Sequence, residues 1–410
     1  MEDNKNDLWQ GGPWEHPAAP FPPPPAVTIP QRERPVLRPR KRRRRWPWVV
    51  LVISLILALC LAPLVIDRLG ELPFNPLPVP PEDRQPAQTE TYSTEPPDIP
   101  QAKTGTGVTL DLQPITGTPL TYTQIYERNA PCLVSIEATG DHEYSTGTGI
   151  ILTADGYIVT NAHVVADTDL VQVVLWDNTV LDAMLVGFDA REDLAVLKVE
   201  AHGLTPARFG DSSDLKCGDP VAAIGDSLGY RSTITDGIIS ALDREVTVDD
   251  VTMVLIQTSA AINFGNSGGA LIDQYGQVVG ITTIKIISDD GSAEALGFAI
   301  PSRRVKYVVD TLIDGRAVRT GVFGFSVSTK PAAGGGLELV EVNPNSDAHA
   351  KGLQVGDIIR SANGIPVTCT QDLARIKLDL GPGDTVTLTY LREGVSHTVD
   401  VALVDSELIN

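Results

Sequence analysis

The 410-residue sequence predicts a mostly β protein, preceded by one apolar segment that spans a membrane. Three observations carry this. From about Tyr122, short runs rich in Val, Ile, Leu and Thr follow one another at close spacing, broken by Gly, Asp and Asn. No long amphipathic helix pattern separates the first dozen runs, so a parallel sheet would lack its crossovers, and a sandwich or a pair of barrels is expected. Between Trp46 and Ile66 lie 21 uncharged residues, enough for one bilayer crossing at about 20 residues.

The N-terminal part divides by composition. Of 31 prolines, 21 fall before residue 101, so residues 1–45 read as a Pro-rich, basic tail and 67–119 as a disordered, semi-rigid linker. Nine Lys/Arg between Arg32 and Arg45 against the single Glu33 place the tail in the cytoplasm. The 46–66 segment then reads as an uncleaved signal anchor, because the leader before it is too long for a cleavable signal. Everything after Asp67 is expected outside the membrane.

Charge and cysteines narrow the function classes. Residues 1–66 hold 10 basic and 5 acidic residues, leaving 22 basic against 47 acidic beyond them, a net −25. Such a body repels phosphate backbones, so no nucleic acid is expected as a partner. Cys60, Cys132, Cys217 and Cys369 show no metal-ligand spacing, and buried free thiols are expected rather than a disulfide framework.

The strand-like runs proceed from "CLVSIEATG" through "GYIVTNAHVV" and "LAVLKVE", then from "PVAAIGD" through "GALIDQ" to "ALGFAIP", with two halves meeting near Pro206–Asp211. Three residues stand out at strand–loop junctions. His163 lies in "TNAHVVA", Asp193 opens an apolar run in "REDLAVLKV", and Ser267 sits among glycines in "NFGNSGGAL". Each alone has a bland reading: a core histidine, a strand-edge aspartate, a tight turn. Together, in the order His, Asp, Ser, they are the parts of a nucleophilic triad. A strand-like run after the serine, rather than a helix, sets it apart from the G-x-S-x-G elbow.

The motifs "GTGIILTADGYIVTNAHVV", "DLAVLKV", "GDSSDLKCGDPVAAIG", "TDGIISAL", "IQTSAAINFGNSGGALI" and "LGFAIP" resemble, in that order, the trypsin-like protease domain of the HtrA/Deg family. The likeness covers residues 120–302. It implies a chymotrypsin/trypsin-like double β-barrel with the site in the cleft, His163 and Asp193 from the first barrel and Ser267 from the second. After a connecting helix at 303–318, residues 319–405 resemble a small α+β PDZ domain in "LELVEVNPNSDAHAKGLQVGDIIRSANG" and "PGDTVTLTYLREG".

The function expected is a membrane-anchored, extracytoplasmic serine endopeptidase that hydrolyses unfolded polypeptides through an acyl-enzyme, in protein quality control. His163 acts as base, Asp193 orients it, and Ser267 attacks. Backbone N–H groups of Gly265, Asn266 and Ser267 form the oxyanion hole. By the resemblance, Ala261 and Ile262 form the floor of the specificity pocket and Thr282, Thr283 and Ile284 its wall, which favours small aliphatic residues before the cut. No metal or organic cofactor is implied. The PDZ domain would take a C-terminal or unfolded segment as an added strand, and the family commonly forms homotrimers. The competing class is a latent, protease-fold binding or chaperone module.

Overall fold

The computed structural model describes residues 93–140, 144–226, 232–248, 251–263, 265–283 and 297–408. The expected tail (1–45), the anchor (46–66), the linker as far as residue 92 and Ile284 lie outside the described residues. Among the described residues no helix is long and apolar enough to cross a membrane.

One expectation is corrected at once. The linker was to run to residue 119, but from Ser93 onward the chain lies on the protease body. Asp98 N–H donates to Thr168 O (2.8 Å), Leu185 N–H to Pro100 O (2.9 Å) and Gly105 N–H to Ile313 O (2.7 Å). Ile99 and Leu110 are buried. Proline forbids a central strand but not an extended strap whose apolar residues find a core.

The strap ends in β1 (Leu112–Gln113), followed by α1 (Tyr122–Asn129), which Thr121 and Gln124 close with a reciprocal capping box. The first barrel then forms from β2 (Leu133–Thr139), β3 (Tyr144–Ile151), β4 (Tyr157–Thr160), β5 (Leu170–Val174), β6 (Val180–Asp189) and β7 (Leu194–Val199). They close in the order β2-β3-β4-β7-β6-β5, with a four-residue helix, α2 (Ala162–Val165), between β4 and β5.

After β8 (Phe209–Gly210) come β9 (Pro220–Gly225), β10 (Thr233–Val248), β11 (Val251–Thr258), β12 (Ala270–Asp273), β13 (Val278–Thr283) and β14 (Gly297–Pro301). Their pairings close a second ring, β9-β10-β11-β14-β13-β12, and β8 and β1 extend in parallel from β13. Every residue of β4, β12 and β13 is buried, which explains why each is mostly apolar, with Thr160, Asp273 and Thr282–Thr283 at their ends.

The connecting helix α3 (Ser302–Ile313) turns Val305, Val308, Val309, Leu312 and Ile313 to one face, the spacing of an amphipathic helix. That face joins a single core cluster with Val186, Leu194 and Val196 of the first barrel and Ile224, Ile272 and Ile281 of the second. The C-terminal domain consists of β15 (Gly321–Val322), β16 (Phe325–Pro331), β17 (Leu337–Val342), α4 (Asp347–Ala350), β18 (Ile358–Ala362), β19 (Ile365–Pro366), α5 (Thr370–Ile376), β20 (Thr385–Arg392), β21 (Val395–Ala402) and β22 (Val404–Asp405). Its sheet runs β16-β17-β18-β20-β21, so β16 is an edge strand. Phe323, Leu339, Ile359, Leu373 and Leu388 fill its separate core.

Candidate active site

β4 carries the chain into Asn161 and α2, which brings His163 to the barrel mouth. Asn161 occupies the cap position of α2 without capping it; its side-chain amide instead donates to the Asp193 carbonyl at 2.8 Å. Asp193 lies in the loop before β7 and is fully buried. Its carboxylate oxygens are 2.8 and 3.0 Å from His163 Nδ1, and Oδ1 also accepts the His163 backbone N–H at 3.2 Å. A carboxylate can only accept, so Nδ1 carries the ring proton, and Nε2 is the basic nitrogen of the neutral ring.

Ser267 comes from the opposite barrel, between β11 and β12, and is buried. Its loop is tied to the first barrel across the cleft. The Ser267 carbonyl accepts Thr148 N–H at 2.8 Å, and the Gly265 carbonyl accepts the Thr148 hydroxyl at 2.9 Å. Gly268 (φ +77) packs so tightly under α2 that a Cβ there would collide with the Thr148 carbonyl and the Thr160 hydroxyl and stand 3.1 Å from Asn161 N. The serine loop is thus seated against the start of the helix that bears His163. Gly265 holds φ +93, a conformation that favours glycine. Asn266 N–H donates to Asn263 O at 3.2 Å, while Asn263 N–H donates to Asn266 Oδ1 at 3.0 Å. Asn266 therefore locks the turn from within. This differs from its expected place among the oxyanion donors, because its N–H is already engaged.

The expected specificity residues are placed unevenly. Ala261 is exposed and Ile262 half-buried beside the serine loop. Thr282 and Thr283 are buried, and their hydroxyls are engaged elsewhere. Thr282 Oγ1 donates to Asn266 O (2.6 Å), and Thr283 Oγ1 donates to Asp193 Oδ2 (2.8 Å). Beside the pocket wall expected of it, Thr283 has a second role: its hydroxyl supports the aspartate. Sequence reasoning missed that role and those of Asn161 and Thr148. The available signal was the end of β13, where the barrel closure brings its last residues to the cleft. Among the described residues no cluster of three His, Cys, Asp or Glu side chains could hold a metal ion.

Comparison with known proteins agrees with this architecture. Residues 147–281 match the trypsin-like peptidase domain family, and residues 321–403 the PDZ domain family. A relative from Ectopseudomonas mendocina, named a probable periplasmic serine endoprotease DegP-like, is 38% identical over 302 residues, which is 71% of this chain and 63% of the relative. One of the same name from Brucella suis is 40% identical over 272 residues, 63% of this chain and 52% of the relative. The chain thus spans between half and two thirds of the length of these curated relatives. The solved structure of the HtrA-type protease AlgW with a tripeptide superposes with a TM-score of 0.57 at 32% identity, covering 70% of this chain and 97% of that one. With the double barrel, the bonded His163–Asp193 pair, the serine loop tied to the first barrel through Thr148 and the appended PDZ domain in place, the chain belongs to the HtrA-type family of trypsin-like serine proteases.

Proposed function

We propose that this protein is an extracytoplasmic serine endopeptidase that cuts unfolded polypeptides through an acyl-enzyme. The observation that carries the reading is the 2.8 Å bond between His163 Nδ1 and the buried Asp193 carboxylate, with the Ser267 loop bonded to Thr148 of β3 in the same barrel. In this reading His163 Nε2 takes the Ser267 proton as the oxygen attacks the scissile carbonyl, and Asp193 stabilises the imidazolium. The N–H groups of Gly265 and Ser267 hold the oxyanion, each worth about 3–4 kcal/mol in such sites. Ala261 and Ile262 offer no carboxylate to a basic side chain, so small aliphatic residues should precede the cut.

The edge strand β16 suits an extended C-terminal segment added as a further strand. The uncharged 46–66 segment and its basic flank support a single-pass anchor, N-terminus inside. The relatives' description as periplasmic fits a protease and PDZ domain outside that membrane. A homotrimer, as implied by the family resemblance, completes the proposal.

The test is fluorophosphonate labelling with mass mapping, run beside casein digestion, on the wild type and Ser267→Ala. Label at Ser267 and fragments ending in Val, Ala or Ile, both lost in the variant, are expected. No label and no cleavage in either protein would favour the binding module instead.

A further inference from the structure

The loop that presents Asp193 is held from a second direction. β6 and β7 pair as far as Asp189–Leu194, and residues 190–193 bridge them. Asp193 itself stands at φ +51. A left-handed backbone costs a non-glycine residue about 1–2 kcal/mol and persists only where its surroundings over-determine it. Asn161, His163 and Thr283 hold Asp193 from its own side. One residue earlier, Glu192 N–H donates to Asp189 Oδ1 at 2.9 Å, and the Glu192 carboxylate receives a fork from Arg304 of α3. The fork joins Arg304 Nε to Oε2 at 2.8 Å and Nη2 to Oε1 at 2.5 Å.

Both side chains are nearly withdrawn from water, at 10% exposure for Arg304 and 15% for Glu192. The guanidinium has further partners. Nη1 donates to Leu378 O at 3.2 Å, just past α5 in the PDZ domain, and its carbon lies 4.9 Å from the Tyr307 ring centre. A lysine could supply the charge but not the fork or the simultaneous reach to Leu378.

A buried ion pair is weak evidence for stability, since apolar residues of similar volume often serve as well. Direction is what a planar fork adds, because two parallel bonds fix the orientation of the carboxylate as well as its position. Here the fixed carboxylate belongs to the residue covalently joined to Asp193. We propose that Glu192 and Arg304 are positioning residues for the endopeptidase reaction, their forked pair fixing the loop that presents Asp193 to His163. The proposal rests on the endopeptidase reading of the same site.

The experiment compares the full chain with Glu192→Met/Arg304→Met, which removes both charges together and keeps apolar volume, and with Arg304→Lys. Arg316→Ala serves as control, since Arg316 pairs with Asp314 on the surface. Turnover of a quenched peptide is measured beside the low-field proton resonance of His163 Nδ1–H, which reports the bond to Asp193 whether or not the enzyme turns over. In the double variant kcat should fall roughly 10- to 100-fold with KM little changed, and the resonance should broaden or move upfield. Arg304→Lys should lie between it and the wild type. A folded double variant, or a folded Arg304→Lys if the double variant does not fold, with wild-type kcat and resonance would overturn the proposal. A displaced resonance with no turnover and no Ser267 label even in the wild type would support the positioning role and overturn the endopeptidase reading.

Discussion

Asp193 accepts hydrogen bonds from His163 twice, from Asn161 through its carbonyl and from Thr283, and each donor restricts a different motion. Thr283 governs rotation of the carboxylate about its own axis, since it alone among these donors bonds only Oδ2. Thr283→Val keeps the volume and leaves that oxygen without this donor in a site closed to water, a loss of about 1–3 kcal/mol. The expected result is a roughly tenfold lower kcat with KM little changed and a lowered Tm. Thr283→Ser, which restores the donor, should recover most of the rate. Equal kinetics in Thr283→Val and the wild type would show that the hydroxyl is not needed to aim the carboxylate.

At the scale of elements, the β12–β13 hairpin illustrates how burial sets a pH dependence. Asp273 ends β12 and is almost wholly buried, with Oδ1 accepting N–H bonds from Tyr275 (2.8 Å) and Gln277 (2.9 Å). Oδ2 has no partner among the described residues. Burial raises the Asp273 carboxyl above its ordinary pKa, outweighing the backbone donors that pull it down. The folded state therefore holds this proton more tightly than the unfolded chain does. Stability from this group is present below the unfolded value of about 3.9 and is lost as pH rises through the raised folded value. Asp273→Asn keeps an acceptor at Oδ1 and cannot ionise. Its Tm should exceed that of the wild type at pH 7, and the gap should close as pH falls toward 4; a gap independent of pH would contradict this.

The elements also explain what was legible in the sequence. "NAH" and "GNSGG" announce themselves because the backbone chemistry they need is local: a strand end, a helix start, two glycines at positive φ. Thr283 lies 90 residues from Asp193, and Arg304 lies 112 from Glu192. Their roles depend on how β13 and α3 register against the first barrel, which no short window contains. The strap from Ser93 to β1 was misread for a related reason. Its prolines signal an extended chain correctly, but whether an extended chain is free or laid on a barrel is decided by the surface it meets.

For the whole molecule, the proposed anchor makes a direct topological prediction. Protease added outside intact cells should reach residues after Asp67, while an epitope within residues 4–45 should be protected. A protected Ser267 region with an accessible tail would reverse the orientation. The acidic body, net −25 beyond residue 66, should also keep the enzyme off anionic lipid surfaces despite its tether.

The path of α3 has a consequence for biosynthesis. Val305, Val309 and Leu312 complete a core that includes Val186, Leu194 and Val196, so one face of the first barrel stays uncovered until a helix made roughly a hundred residues later arrives, while its interior core needs no residue of that helix. At ~5–20 residues per second that is a delay of roughly 5–20 s. While the chain is being made, that face is open to solvent, and Ser267, 74 residues beyond Asp193, joins the histidine and aspartate only after the second barrel has been made.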